Sequence, residues 1–228
     1  MELTSVVIPA QYGREQDYIR ATIKSYQHQH FKGRERPTEL LVVMNGAVVG
    51  ADDTPNIADD LGAKVITLDE GNVSLARNEG VENAEGKYLI FNDADTRVAS
   101  NYVDVIGQAH EKGADFGSAL FKPENLHPMT WLYCLATWTT GYVLSDVGGN
   151  MYVTRELFDK VDGFNPELRV GEDTDLGRRM RDAGGRHKFL HGTHIITSMR
   201  KFEENGYFTE FFINQMKPFL FPNKTLPK

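Results

Sequence analysis

Two acidic pairs have the residue types and spacing to do chemistry. In FNDADT (91–96), Asp93 and Asp95 flank Ala94 directly after the apolar run KYLI; in GED (171–173), Glu172 and Asp173 are adjacent, with Asp175 close behind. If Asp93 and Asp95 continue a strand, period-two alternation projects both carboxylates to one side, and the small Ala94 leaves room for a ligand. Such a pair suits a divalent cation. Mg²⁺ takes one or two protein carboxylates and completes its shell with water and substrate phosphates, and Mn²⁺ accepts similar oxygen ligands. An Asx turn at a strand end accounts for the same two residues without any metal. The acids of GED open a helix, where the positive dipole end favours carboxylates, and an ionised carboxylate there is also a candidate general base for a hydroxyl.

Other residues add to this set. His187, His191 and His194 are spaced so that one of them, His194, could supply a late metal ligand, although such histidines are usually core or surface residues. Arg200 in SMRK (198–201) could grip a phosphate bidentately or belong to a solvated basic turn. GGN (148–150) permits close backbone approach, which makes Asn150 a candidate wall for a bound sugar, or forms an ordinary turn. Cys134 reads as a packed small hydrophobe.

The elements that must position these groups are legible from periodicity. Short β-rich runs TSVVI (4–8), ELLVV (39–43), KVITL (64–68) and KYLIF (87–91) alternate with helical patterns near 17–28, 55–61 and 73–84. Ile19, Ile23 and Tyr26 share one face of the first helix. Strands apolar on both faces and separated by helix-length segments predict a doubly wound α/β fold with a mostly parallel sheet. Ligands bind such sheets at the carboxyl ends of the strands, which places PAQYGRE (9–15), MNGA (44–47) and NDADT (92–96) on one rim. Beyond them the pattern predicts a helix near 101–112, a strand near 116–121, a strand at NMYVT (150–154) and a helix in GEDTDLGRRMRDAGG stopped by Gly184 and Gly185.

Composition bounds the function. The 228 residues carry 25 Lys and Arg against 32 Asp and Glu, a net charge of -7 that leaves no footprint for nucleic-acid binding. One cysteine and an N-terminal stretch without the pattern of a signal peptide give the expectation of a reducing, cytoplasmic protein. From Asn125 to Ser145 there is no Asp, Glu, Lys or Arg. Pro128, Gly141 and several threonines interrupt this stretch, so it predicts a buried or interfacial helix rather than a membrane span. Its Trp131, Trp138 and Tyr142 offer amphipathic rings to a glycan or to a membrane surface, with the aromatic tail FFINQMKPFLF (211–221) as a second contact.

The stretch VSLARNEGVENAEGKYLIFNDADT resembles the sugar-nucleotide-binding core of family 2 glycosyltransferases of the GT-A type. There an Ala-Arg-Asn helix leads through a Gly-Lys/Glu-Tyr strand into Asp-x-Asp. Glu15 with Tyr18 and Ile19, then Ser25 with Gln29, resemble the segments that follow the family's first strand. VTRELFDKVDGFNPELRVGEDTDLGRRMRDAG resembles its Phe-x-x-x-Gly-Gly-Phe and Glu-Asp-x-Asp-Leu pattern. The resemblance implies one glycosyltransferase domain over 1–228: a nucleotide-sugar half (1–97), an acceptor and catalytic half (98–200) and an aromatic tail (201–228). It implies a metal-dependent inverting transferase that moves a sugar from a nucleotide-diphosphate donor to a lipid-linked or polysaccharide acceptor; the aromatic segment and tail add the expectation of contact at the inner face of a membrane. Pro9, Ala10, Glu15 and Asn45 would lie near the nucleoside, Arg77 near the base or the first carboxylate, and Asp93, Ala94 and Asp95 at the ribose and the Mn²⁺ or Mg²⁺ ion. Asp173 would be the base, oriented by Glu172, with Asn150, Trp138 and Arg200 on the acceptor or phosphate side.

Departures from the pattern fall on the nucleoside side. QYG (11–13) inserts a residue, Arg14 occupies an Asn position, MNGA replaces Asp-Asp-Gly-Ser, and Asp162 stands where Gly is common. UDP and GDP therefore remain equally open. Two other classes compete. A nucleotidyltransferase would want a glycine-rich phosphate loop, where IPAQYGRE has one glycine; a non-catalytic glycan- or nucleotide-binding module would not need both acidic pairs.

Overall fold

The computed structural model describes residues 2–46, 52–144, 150–168 and 171–212, the stretch 140–144 by its backbone only. The chain runs β1 (Thr4–Gln11), α1 (Gln16–Gln27), β2 (Thr38–Asn45), α2 (Thr54–Asp60), β3 (Lys64–Leu68), α3 (Val73–Glu82), β4 (Tyr88–Phe91), β5 (Thr96–Val98) and α4 (Tyr102–Glu111). It continues through β6 (Phe116–Gly117), β7 (Ala119–Pro123), α5 (Pro128–Leu144), β8 (Met151–Thr154), α6 (Arg155–Lys160), α7 (Glu172–Asp182), β9 (Leu190–Thr197) and α8 (Arg200–Asn205).

A six-stranded sheet has the order β3-β2-β1-β4-β8-β6, in which β1, β2, β3 and β4 are parallel and β8 is antiparallel to β4. The strand order reverses direction between β1 and β4, so the crevice beyond their carboxyl ends is a topological switch point where this class of sheet binds ligands. The alternation of β-branched side chains sorts the core into two layers. Val6, Ile8, Val42, Met44 and Ile90 pack with Ile19, Ile23 and Tyr26 of α1 and with α2 and α4. Val7, Val43, Leu89 and Phe91 pack on the other face with Ala76 of α3 and with α6 and α7. Complete burial of each such aliphatic side chain contributes about 1.5–3 kcal/mol, so the parallel strands are the stable floor of the molecule.

Two local features set the height of the site above that floor. At Gly80 of α3 a Cβ would lie 2.3 Å from Val7 Cγ1, so only glycine lets α3 press this close to β1. Downstream of α6 the chain reverses through Asp162 (φ 57) and Gly163 (φ 62), both left-handed.

The sequence expectation of one strand over 116–121 is corrected. Phe116 and Gly117 pair with β8, whereas Ala119–Pro123 pair with β9 in a separate three-stranded sheet, β5-β9-β7. Lys188 N–H donates to the Phe116 carbonyl and Leu190 N–H to that of Ser118, which draws the chain from one sheet to the other. An apolar run does not reveal that its two halves choose different partners. β9 itself was not anticipated. The uncharged segment forms α5, with Cys134 buried and Leu132 and Leu135 exposed, and no helix among the described residues is long and apolar enough to cross a membrane.

A left-handed aspartate carries a conformational cost that glycine lacks. Asp162→Gly should stabilise the protein by about 0.5–1 kcal/mol, a rise of about 1–4 °C in Tm. Gly163→Ala should destabilise by about 1–3 kcal/mol, because its φ is left-handed and the new Cβ would sit 2.8 Å from Asn78 Oδ1. Thermal unfolding of the two variants measures both signs.

Candidate active site

The aspartates of DAD lie in a turn, not on a strand. β4 ends at Phe91, and Thr96 N–H donates to the Asp93 carbonyl at 3.1 Å to close the turn into β5. The two carboxylates are therefore gathered by the turn rather than by strand alternation, which corrects the sequence expectation. Buried Asn92 shapes this turn from within, its Nδ2 donating to the carbonyls of Asp93 (2.9 Å) and Thr96 (2.8 Å). From outside, Thr22 Oγ1 of α1 donates to the Ala94 carbonyl at 2.7 Å. Ser25 and Gln29 extend the grip: Ser25 Oγ accepts from Val98 N–H and Gln29 Oε1 from Val103 N–H, tying α1 to the chain beyond the turn.

One buried side chain joins the two acidic pairs. Arg77, 2% exposed, donates through Nη2 to Asp93 Oδ1 at 3.1 Å and through Nη1 to Glu172 Oε1 at 3.0 Å. Its guanidinium stands over the Phe164 ring, 5.0 Å from the centroid. Burial alone would lower its pKa, but Asp93, Glu172 and Asp173 outweigh burial and raise it. α3 also holds the loop that leads to GED. Asn72 caps α3 through Oδ1 and donates through Nδ2 to the Pro166 carbonyl, while Asn78 both donates to the Phe164 carbonyl and accepts from its N–H. The Ala-Arg-Asn stretch thus has a physical reading: Ala76 packs in the core, Arg77 bridges the acids and Asn78 clasps the loop. Gly171, left-handed at φ 78, turns the chain into α7 so that Glu172 and Asp173 enter at its first turn. Burial, then Asp173, raise the Glu172 pKa, and Arg77 opposes them. Asp173 is only partly buried, and its Oδ1 accepts from the N–H of Thr174 at 2.7 Å.

The opposite wall is built from α1 and α8. Arg200 Nη2 lies 3.4 Å from Glu15 Oε1 and 3.8 Å from Asp95 Oδ2, and its guanidinium lies over the Tyr18 ring. Burial, then Asp93 and Glu15, push the Asp95 pKa up to about 6, with Arg200 and Lys201 pulling the other way. Burial likewise raises Glu15, whose Oε2 is buried with no hydrogen-bond partner among the described residues. This acidic excess is the electrostatic condition a divalent cation relieves. No group of three or more His, Cys, Asp or Glu side chains forms a metal cage among the described residues. Asp93 and Asp95 are the carboxylates that would meet a cation here, and two such ligands would suit an ion that takes its others from phosphates and water.

The remaining predicted residues divide. Asn150 joins the site, its Oδ1 accepting from Asp93 N–H at 3.1 Å. Asn45 binds the Ala10 carbonyl across the ends of β1 and β2, and the side chain of Ala10 packs into the core, as buried Pro9 does beside Val43. His194 is not brought to the carboxylates. Its carbonyl accepts from Ala99 N–H at 3.0 Å and its register partner is Leu120, and among the described residues it forms no three-ligand group with Asp93 and Asp95. Trp138 spends its indole N–H on the Phe121 carbonyl of β7. Gly148 and Gly149 of GGN lie outside the described residues. Asn72, Asn78, Asn92 and Phe164 were missed as positioning residues; the signal was a place inside the motifs for the last three and, for Asn72, an N-cap residue type directly before α3.

The bridge yields a stability prediction. Arg77→Met leaves two carboxylates without their shared partner and should lower unfolding free energy by about 2–4 kcal/mol, and adding Glu172→Gln should recover about 1 kcal/mol. Denaturant titration checks both; a loss below about 1 kcal/mol for Arg77→Met would mean that the bridge is not structural.

Comparison with known proteins agrees with this architecture. The family model described as glycosyl transferase family 2 matches residues 5–161, and one described as the N-terminal domain of galactosyltransferase matches residues 138–203. EpsH of Bacillus subtilis strain 168, a glycosyltransferase by name, is 27% identical over 109 residues, which are 46% of this chain and 30% of EpsH. Residues 1–349 of TarS of S. aureus in complex with UDP have a TM-score of 0.67 at 20% identity, covering 94% of this chain and 66% of that 1–349 chain, while a TarS structure without that truncation is covered to 40%. The mannosyltransferase PcManGT of Pyrobaculum calidifontis, in complex with GDP-Man and Mn²⁺, has a TM-score of 0.65 at 14% identity, covering 99% of this chain and 66% of PcManGT. The chain thus spans under a third of EpsH and 66% of the truncated TarS chain and of PcManGT. The two structural matches show the GT-A fold, and the family match over most of the chain carries the assignment: this protein belongs to glycosyl transferase family 2.

Proposed function

We propose that this protein is a metal-dependent, inverting glycosyltransferase that moves a sugar from a nucleotide-diphosphate donor to the hydroxyl of a lipid-linked or polysaccharide acceptor. The observation that carries the reading is the Arg77 bridge, which fixes DAD and GED on one crevice at the switch point of the sheet. The nucleotides held by the structural relatives, and the Mn²⁺ of one of them, support a donor of this class without choosing between UDP and GDP.

Asp93 and Asp95 would hold the cation, Mn²⁺ or Mg²⁺, which when bound neutralises the negative charge developing on the departing diphosphate. Asn45, Glu15 and the backbone of Pro9 and Ala10 line the rim where a nucleoside would lie. The methyl of Ala94 packs in the core rather than leaving room for a ligand, and its carbonyl accepts from Thr22, so this residue would serve a donor only by shaping the turn. Glu172 is engaged by Arg77, so its role is to orient; Asp173 beside it is the carboxylate left to accept a proton from the acceptor hydroxyl as that oxygen attacks the sugar carbon. A single base and direct displacement invert the configuration at that carbon.

The face of α5 and of residues 207–212 supports an acceptor carried at a lipid surface. Leu126 (85% exposed) just before α5, Leu135 (56%) and Trp131 on it, and Phe208 (74%) and Phe212 after Tyr207, whose ring stacks on His127 at the start of α5, are exposed apolar side chains. Apolar side chains grouped this way mark contact sites.

Asp173→Asn should lower kcat by about 10²–10⁴ while leaving nucleotide affinity in Mn²⁺ unchanged, the loss expected for a general base. Asp95→Ala should lose Mn²⁺-dependent nucleotide binding itself. Turnover with a panel of UDP- and GDP-sugars, paired with calorimetry, separates the two; full activity in both variants would reject the assigned roles. Wild-type protein should also co-sediment with phospholipid vesicles, and Leu135→Glu should reduce the bound fraction. Absence of pelleting would remove the membrane-surface part of the reading.

A further inference from the structure

Arg200 has contacts that the transfer reaction alone does not explain. Its Nη1 donates to the carbonyl of Arg14 at 2.6 Å, which anchors the side chain to the chain just before α1. Its Nη2 faces two carboxylates at once, Glu15 at 3.4 Å and Asp95 at 3.8 Å. The face of the guanidinium covers Tyr18 at 5.2 Å. Arg200 is the first residue of α8, a helix of six residues, and its side chain is 22% exposed. The backbone anchor is short and the two carboxylate contacts are long, so the acidic partners can be exchanged at small cost while the anchor holds.

Asp95 is also the carboxylate assigned to the cation, and a guanidinium and a divalent ion repel each other when both approach one carboxylate. A diphosphate offers Arg200 a better partner, because guanidinium matches phosphate oxygens bidentately. We infer that Arg200 is a positioning residue that couples the two ligands: it competes with the divalent cation for Asp95 in the absence of nucleotide and releases Asp95 as the diphosphate takes its guanidinium. This rests on the reading of Asp95 as a metal ligand. Linkage then requires that nucleotide tighten cation binding and cation tighten nucleotide binding by the same factor, and that part of this factor belong to Arg200.

The test titrates Mn²⁺ by electron paramagnetic resonance into wild type, Arg200→Gln, Arg200→Lys and Asp95→Asn, each with and without UDP or GDP, after thermal unfolding has established that every variant folds. Arg200→Gln should bind Mn²⁺ alone about 3–10-fold more tightly than wild type, as removal of one part-buried competing charge predicts. Its nucleotide-induced gain in Mn²⁺ affinity should be smaller than the wild-type gain by a similar factor. Arg200→Lys, which keeps the charge without the fork, should fall between them. Equal Mn²⁺ affinity in wild type and Arg200→Gln, with binding abolished in Asp95→Asn, overturns the inference and leaves the metal site standing. Failure of wild type to bind Mn²⁺ even with nucleotide, or undiminished binding in Asp95→Asn, overturns the metal site and this inference with it.

Discussion

A guanidinium excluded from water must have its charge answered, and Arg77 answers it with one carboxylate from each of two distant segments. This requirement organises the molecule. The buried cation is tolerable only if Asp93 and Glu172 both arrive, so the turn after β4 and the start of α7 are fixed relative to each other by the same side chain. The glycine that lets α3 settle onto β1, the asparagines that clasp the loop from Phe164 to Pro166, and the phenyl ring beneath the guanidinium all serve to hold Arg77 in place.

The bridge divides labour among four carboxylates. Asp93 and Glu172 are partly neutralised by Arg77 and serve the structure through it. Asp95 and Asp173 lie beside them without a hydrogen bond from that guanidinium: Asp95 faces Arg200 at 3.8 Å, and Asp173 accepts from Thr174 N–H. Asp95 sits among Glu15 and Asp93, and burial with these two carboxylates disfavours its charge. On the proposed reading, excess negative charge at one end and a base at the other would suit transfer between a charged donor and a neutral hydroxyl.

Much of this architecture was legible in the sequence. β-branched runs and i, i+4 apolar spacing announce β1 to β4 and their helices because burial on a sheet imposes those periods. β9 was not legible: His191, Gly192 and His194 interrupt the apolar positions of LHGTHIIT, and its pairing partners lie far away in the chain. The acidic pairs were visible as residue types, yet their union was not. Asn72 and Pro166 stand 94 residues apart, Asn78 and Phe164 stand 86 apart, and no local pattern encodes such contacts. The DAD turn misled for a related reason. Spacing of two fits strand alternation and a tight turn equally well, and only the hydrogen bond from Thr96 to Asp93 decides between them.

The central claim is that the turn at 93–95 and the start of α7 form the two walls of one reaction cleft. Crystals grown with Mn²⁺ and a nucleoside diphosphate, phased to reveal the anomalous signal of manganese, test it most directly. The account predicts one strong peak in coordination contact with Asp95, diphosphate oxygens on its far side, and the Asp173 carboxylate facing the open side of the diphosphate. A nucleotide bound elsewhere on the sheet, or a peak with no contact to residues 93–95, would contradict it.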